Sequence, residues 1–306
     1  MKSLFSRYDL EGRTEKTLRD AATVILMRTR PEEPYEILLM RRHRNQAFMG
    51  GAYVFPGGRL DDADTDPELT ASVGGLHAEE ARRLLQEPNL NAATAFGLFL
   101  AAIRETFEEA GVLLAYDVSG RLVDLADPEA AARFSAYRIE LHEGRLTLAD
   151  LAWREAIRYA PDLLIPYSHW ITPEIEPRRF DTRFFLAQIP EGQVAVHDRM
   201  ELTESRWMTP AAALAEHKTG RIILMPPTLK TIEELRAFSC TAHLIAAART
   251  QQLYTIYAEA FSTADGFGIR LPRDPDYTLT AWKQPPRPGE TTRIVMQDGI
   301  WKTFAV

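Results

Sequence analysis

The stretch AAIRETFEEAGV, residues 101–112, constrains this chain more than any other. It sets Glu105, Glu108 and Glu109 within five positions, just ahead of Gly111, a residue suited to ending a helix. Upstream, Phe96, Phe99, Leu100, Ile103, Phe107 and Ala110 recur at helical spacing and define one apolar face. Asn91 can cap the start of that helix. The three glutamates then project away from the apolar face. Glu105 and Glu109 form an i,i+4 like-charge pair, which costs roughly 0.2–0.5 kcal/mol. The helix macrodipole disfavours anions in the last turns by roughly 0.3–1 kcal/mol each. Arg104 offsets part of this by pairing with Glu108 at i,i+4. A solvated face gains nothing from such crowding. A divalent cation reverses the sign, because closely spaced carboxylates are the hard oxygen ligands that Mg2+ or Mn2+ takes.

The rest of the chain supplies a frame for this helix. AATVILMRTR and YEILLMRR flank PEEP and predict a β-hairpin. GGAYVFPGG predicts a short strand entering a glycine-rich loop, where Gly57 and Gly58 let backbone approach a ligand or metal closely. The segment 59–91 is polar and partly helical in HAEEARRLLQE, an excursion from the main fold. VLLAYDV, RRFDTRFFLAQIP and ESRWMT predict strands, and about 127–160 is helix-rich. PAAALAEHK predicts a helix opened by Pro210. One further helix is expected near 232–249, with Cys240 packed within it. RIVMQDGIWKTFAV predicts a hairpin about Asp298-Gly299.

Composition narrows the classes. With 45% hydrophobic and 26% charged residues the chain reads as soluble and globular. A net charge of -7 argues against nucleic acid as a partner across the whole surface. The single cysteine excludes an intramolecular disulfide and suits a reducing compartment. The first twenty residues hold no apolar run of signal-peptide length, and the tail KTFAV is not an address of the S-K-L type. A cytoplasmic location without a membrane partner is therefore expected.

The glycine loop and the helix together resemble the Nudix hydrolase signature. That signature is a Gly, five residues, an acid, seven residues, then Arg-Glu-x-x-Glu-Glu-x-Gly and an apolar residue. Gly58 and Asp64 match its first half, and Arg104, Glu105, Glu108, Glu109, Gly111 and Val112 its second. The chain departs twice: Asp64 stands where the family has Glu, and residues 65–103 replace the seven-residue spacer. The resemblance implies an α+β fold, an α/β/α sandwich around a mixed sheet, here with a helical insertion and a C-terminal helical extension. It implies hydrolysis of a nucleoside diphosphate linked to another moiety. Glu105, Glu108, Glu109 and the carbonyl of Gly57 are the implied ligands of Mg2+ or Mn2+, with Arg104 orienting the carboxylates. A further acid often comes from a distant loop, and HDRMELTESRW offers Asp198, Glu201 and Glu204. Its spacing before Trp207 selects Glu201 as ligand or general base, so the implied catalytic set is Glu105, Glu201 and Arg104.

The ordering of GAYVFPGGRLDDAD, AIRETFEEAGVLL, WITPEIEPRRFDTRFFLA and PPTLKTIEEL is similar to the peroxisomal coenzyme A diphosphatase branch and its bacterial relatives. It implies cleavage of CoA or acyl-CoA to 3',5'-ADP and (acyl-)4'-phosphopantetheine. The expected domain spans 17–217, with the insertion at about 62–92, a second helix-rich segment at about 127–160, and an extension 218–306 packed on it. Leu38, Leu39, Arg42, Gly51 and Phe55 to Gly58 fit a CoA-cleaving signature, whereas Met40, His43 and Ala47 depart from it. Arg42, Arg44 and Arg179, with Gly58, are the candidate substrate contacts. The arginines also read as an ordinary solvated strand end. The insertion and the C-terminal helices are expected to shape the pocket for the non-nucleotide half of the substrate. Two alternatives stay open: a Nudix pyrophosphatase for ADP-ribose, a dinucleotide or a capped RNA end, and a binding protein without turnover. A small-molecule partner is expected, and a homodimer is left open.

Overall fold

Alternation in the first hairpin sets the layering. The computed structural model describes residues 17–30, 33–43, 50–198, 202–263 and 266–306. In β1 (Leu18–Arg30), Ala22, Val24 and Leu26 join one core, and Ile25 and Met27 the other. β2 (Glu33–Arg42) repeats this with Leu38 and Met40 against Ile37 and Leu39. Both faces are apolar, so both must be covered.

The elements that follow are β3 (Tyr53–Val54), β4 (Gly57–Arg59), α1 (Ala78–Leu85), α2 (Ala92–Ala110), β5 (Ala115–Tyr116), α3 (Pro128–His142), α4 (Leu148–Glu155) and β6 (Arg158–Tyr159). Then come β7 (Ile165–Ile171), β8 (Arg179–Gln188), β9 (Leu202–Met208), α5 (Pro210–Lys218), α6 (Pro226–Leu235), α7 (Thr241–Thr250) and β10 (Thr255–Tyr257). The chain closes with β11 (Glu259–Thr263), β12 (Gly266–Arg270), β13 (Thr291–Gln297) and β14 (Ile300–Ala305). The central sheet runs β10-β7-β8-β1-β2-β3, with β4 added to β1 and β9 to β2. It is mixed: β1 is parallel to β8 and β10 to β7, and the other pairs are antiparallel. Helices α1 to α4 cover one face, and α5 to α7 with β12 to β14 cover the other. The result is the expected α/β/α sandwich around a mixed sheet.

A fork in the sheet positions the glycine loop. β1 and β2 pair from Met27↔Ile37 to Arg30↔Glu33. Beyond that, Ala21–Thr23 of β1 pair with β4, and Met40 and Arg41 of β2 pair with β3. Phe55 and Pro56 span the opening, and the Pro56 carbonyl accepts the Val24 N–H at 2.9 Å.

Several expectations are modified. VLLAYDV contributes only the two residues of β5, paired with β6 in a small separate sheet. Its remaining backbone finds partners elsewhere: Leu113 donates to Gln193 Oε1 at 2.8 Å and accepts from Gln193 Nε2 at 2.9 Å, so no ladder is needed. The single helix expected near 232–249 is two helices, α6 and α7, and Cys240 stands just before the first residue of the second rather than inside one helix. The Leu235 carbonyl, an acceptor that a continuing helix would use, takes the Tyr35 hydroxyl at 2.7 Å. The C-terminal extension carries these helices and, beyond the expectation, a four-stranded antiparallel sheet, β11 to β14. Its last hairpin turns at Asp298 (φ 54°) and Gly299 (φ 78°), as Asp-Gly requires. No helix among the described residues is long and apolar enough to cross a membrane.

Candidate active site

Local rules build α2 as read from the sequence. Asn91 accepts N–H groups from Ala93 and Thr94 at 2.8 and 3.3 Å. Gly111 closes the helix at φ 69°, its N–H on the Phe107 carbonyl. The glutamate face, however, meets β4 and the turn Asp62–Thr65 rather than water. Arg104 and Glu109 are buried, and the Glu105 and Glu108 side chains keep only 13% and 12% exposure.

Arg104 organises the cluster. Its Nε and Nη2 donate to the two oxygens of Asp64, both at 2.8 Å, and Nη2 also reaches the Arg59 carbonyl at 2.9 Å. Nη1 donates to Glu105 at 2.9 Å and Glu108 at 3.3 Å. Burial works against the guanidinium charge, but Asp64, then Glu105 and Glu108, hold its pKa well above the ordinary arginine value. The shorter Asp64 thus fills the family's glutamate position. Burial pushes the Glu105 pKa up to about 7 against the pull of Arg104, and Glu108 adds to the rise. Glu108 is also raised by burial, again opposed by Arg104.

The glycine loop fits against these carboxylates because it lacks side chains. A Cβ on Gly58 would lie 2.3 Å from Glu105 Oε1. The Gly57 N–H donates to Glu109 Oε2 at 2.8 Å. Sequence reasoning missed two neighbours from α3. Arg138 donates to the Glu108 and Glu109 carbonyls at 2.7 and 2.6 Å, placing a cation at the end of α2. His142 Nδ1 stands 3.9 Å from Glu108. These contacts explain how the helix end tolerates its acids.

All of this opens on one cavity of about 960 Å³. Gly57, Gly58, Arg104, Glu105, Glu108, Glu109, His142 and Asp198 line one part of it, and Arg19, Arg42, Arg178 and Arg179 also border it. Arg42 Nε has no hydrogen-bond partner among the described residues. Arg179 donates to the Thr172 carbonyl at 3.2 Å and the Tyr257 hydroxyl at 2.8 Å. Arg44 and Glu201 lie outside the described residues. Of the other acids in that loop, Asp198 reaches the cavity. Glu204 instead accepts the Tyr53 hydroxyl at 2.7 Å. Of the inserted segment, Arg59 and Asp61 border this cavity, its first turn supplies Asp64 behind Arg104, and α1 packs on α2.

Among the described residues no three acidic, histidine or cysteine side chains converge as metal ligands would, and Arg104 holds Glu105 and Glu108 together. The donor chemistry nevertheless fits a hard divalent cation. Glu105 and Glu108 share one guanidinium whose charge Asp64 already answers, and Glu109 beside them accepts the Gly57 N–H. Glu105, Glu108 and Glu109 could hold such an ion, with Gly57 alongside.

Comparison with known proteins gives a consistent picture. A family model described as the NUDT19 Nudix domain matches residues 18–235. The acyl-coenzyme A diphosphatase NUDT19 of Xenopus laevis is 27% identical over 241 residues, covering 67% of this chain and 60% of that protein. The Homo sapiens protein of the same name is 29% identical over 253 residues, covering 70% and 64%. The chain thus spans less than two thirds of either relative. A crystal structure of a Nudix hydrolase from Alicyclobacillus acidocaldarius shares the fold, with a TM-score of 0.61 at 24% identity, over 76% of this chain and 97% of that one.

Proposed function

Because the chain belongs to the Nudix family of the NUDT19 type, we propose that it hydrolyses the pyrophosphate of CoA or acyl-CoA. The products are 3',5'-ADP and (acyl-)4'-phosphopantetheine. The observation that carries this reading is one cavity that joins the crowded carboxylates to several guanidinium groups.

Water adds to one phosphorus, the bridging P–O bond breaks, and the departing phosphate takes the electron pair. A bound Mg2+ or Mn2+ would neutralise the pyrophosphate and acidify the attacking water. Glu105, Glu108 and Glu109 would hold the ion, and Arg104 fixes the first two through Nη1. Asp198 borders the same space and, with Glu201, is a candidate to accept the water proton. Arg42 and Arg179 border the cavity and in this reading bind phosphate oxygens, with Arg44 a further candidate. Gly57 and Gly58 let the loop lie directly against β1 and the Glu105 carboxylate. A cytoplasmic setting is part of the proposal and rests on the single cysteine.

The test is a parallel digestion of CoA, acetyl-CoA, a long acyl-CoA, ADP-ribose, NADH and a diadenosine polyphosphate with Mg2+ or Mn2+. Highest kcat/KM for the CoA compounds, with 3',5'-ADP released, is the expected result. AMP from ADP-ribose or NADH at higher efficiency would replace the substrate while keeping the site.

A further inference from the structure

The cavity that holds the carboxylates also has an uncharged part. Met225, at the head of α6, Phe267 and Ile269 of β12, and Trp301 of β14 all line it. Phe267 and Trp301 pack edge to face, with ring centroids 5.2 Å apart. Trp170, at the end of β7, and Trp301 are buried, and neither indole N–H has a hydrogen-bond partner among the described residues. Phe267, Ile269 and Trp301 come from the C-terminal sheet, beyond the stretch 18–235 that the family model matches. The sheet is fastened at that place because β10 pairs in parallel with β7 and leads directly into β11.

We propose that this part of the cavity is an acyl-chain subsite, so that the C-terminal sheet decides which acylated substrates are taken. The inference rests on the CoA reading above. A pyrophosphate has no partner among Met225, Phe267 and Ile269, whereas an alkyl chain gains from leaving water there. Each buried methylene is worth roughly fourfold in affinity. A cavity of about 960 Å³ has room for both halves.

The experiment compares kcat/KM for CoA, acetyl-CoA, octanoyl-CoA and lauroyl-CoA in the wild type, Phe267→Ala and Met225→Trp, with Tm recorded for each. The wild type is expected to favour longer chains. Both variants are expected to lower the ratio of lauroyl-CoA to CoA efficiency by about tenfold or more, one by removing a wall and the other by filling the space. If Phe267→Ala fails to fold, Met225→Trp still decides, since it adds bulk at a half-buried position. A ratio unchanged in a folded variant, or a wild type indifferent to chain length, overturns the subsite while leaving CoA cleavage intact. A wild type that cuts ADP-ribose but no CoA compound overturns the parent reading and this one with it.

Discussion

Arg104 grips Asp64 with two nitrogens, each 2.8 Å from its own carboxylate oxygen, between two buried side chains. The turn that carries Asp64 is itself fixed, because Asp64 also accepts the Asp61 N–H at 2.9 Å. Removing Asp64 deletes both of these charged hydrogen bonds, while Glu105 and Glu108 remain beside the guanidinium. Asp64→Ala should cost roughly 1.5–3 kcal/mol, read as a lower urea midpoint with little change in slope. A midpoint shift below about 1 kcal/mol would show that the pair is replaceable by water.

In the proposed reading, the carboxylates of α2 serve chemistry rather than stability. Glu105→Gln and Glu109→Gln should each lower kcat by roughly 100-fold or more in the presence of Mg2+. Tm of the metal-free protein should hold or rise, since each change removes one charge from a crowded buried group. Near-normal turnover in both variants would refute the assignment.

The pH response of the metal-free protein follows from Glu105. Its folded pKa of about 7 lies above its ordinary 4.5, so the folded state binds the proton more tightly than the unfolded one. The stability from this group is fully present below the unfolded value and is lost as pH rises through about 7. Mg2+ binds the deprotonated form, so the Tm rise it gives should be larger near pH 8 than near pH 6. Glu105→Gln should flatten that difference. Equal metal shifts at both pH values in the wild type would argue that another group receives the ion.

Two adjacent glycines separate fold from function. A Cβ on Gly57, at φ 156°, would lie 2.4 Å from the Ala22 carbonyl oxygen and 2.7 Å from the Thr23 Cα, both backbone atoms of β1. Gly57→Ala should therefore lower stability by roughly 1–3 kcal/mol. A Cβ on Gly58 meets only the carboxylate of Glu105, the end of a side chain rather than backbone. Gly58→Ala should keep Tm within a few degrees and lower kcat by about tenfold or more, because that carboxylate must turn away. The reverse pattern in thermal melts and initial rates would mean that the loop is arranged differently.

The sequence made α2 readable because caps, apolar spacing and the Arg-Glu-x-x-Glu-Glu string act within one element. The hairpin and the glycine loop were readable for the same reason. The readings that failed depended on distant partners. Gln193 satisfies Leu113 and spares VLLAYDV a strand, and Tyr35 takes the Leu235 carbonyl where one helix had been expected. The acids of HDRMELTESRW could be ranked only by analogy in spacing, whereas packing brings Asp198 to the cavity and ties Glu204 to Tyr53. The uncharged lining from β12 and β14 comes from residues far along the chain from the glutamates, and no local pattern joins them.

Arg138 is the clearest case of a residue visible only in the fold. Nothing in ARFSAYRIELH distinguishes it from Arg133, which pairs with Glu155 on the surface. Arg138 instead gives Nε and Nη2 to the Glu108 and Glu109 carbonyls, at the end of α2 where the dipole is negative. Burial lowers its pKa, with Asp198 and then Glu109 opposing the shift, so it remains a cation held among acids. Arg138→Ala should cost roughly 1.5–3 kcal/mol for the lost charged hydrogen bonds. It should also reduce kcat by about tenfold, because Glu108 and Glu109 ride on that helical turn. Arg138→Lys should recover more stability than rate, since one ammonium cannot bridge both carbonyls in the same plane. Full recovery of rate by lysine would mean that charge alone matters there, and unchanged kcat in Arg138→Ala would leave Arg138 a purely structural cap.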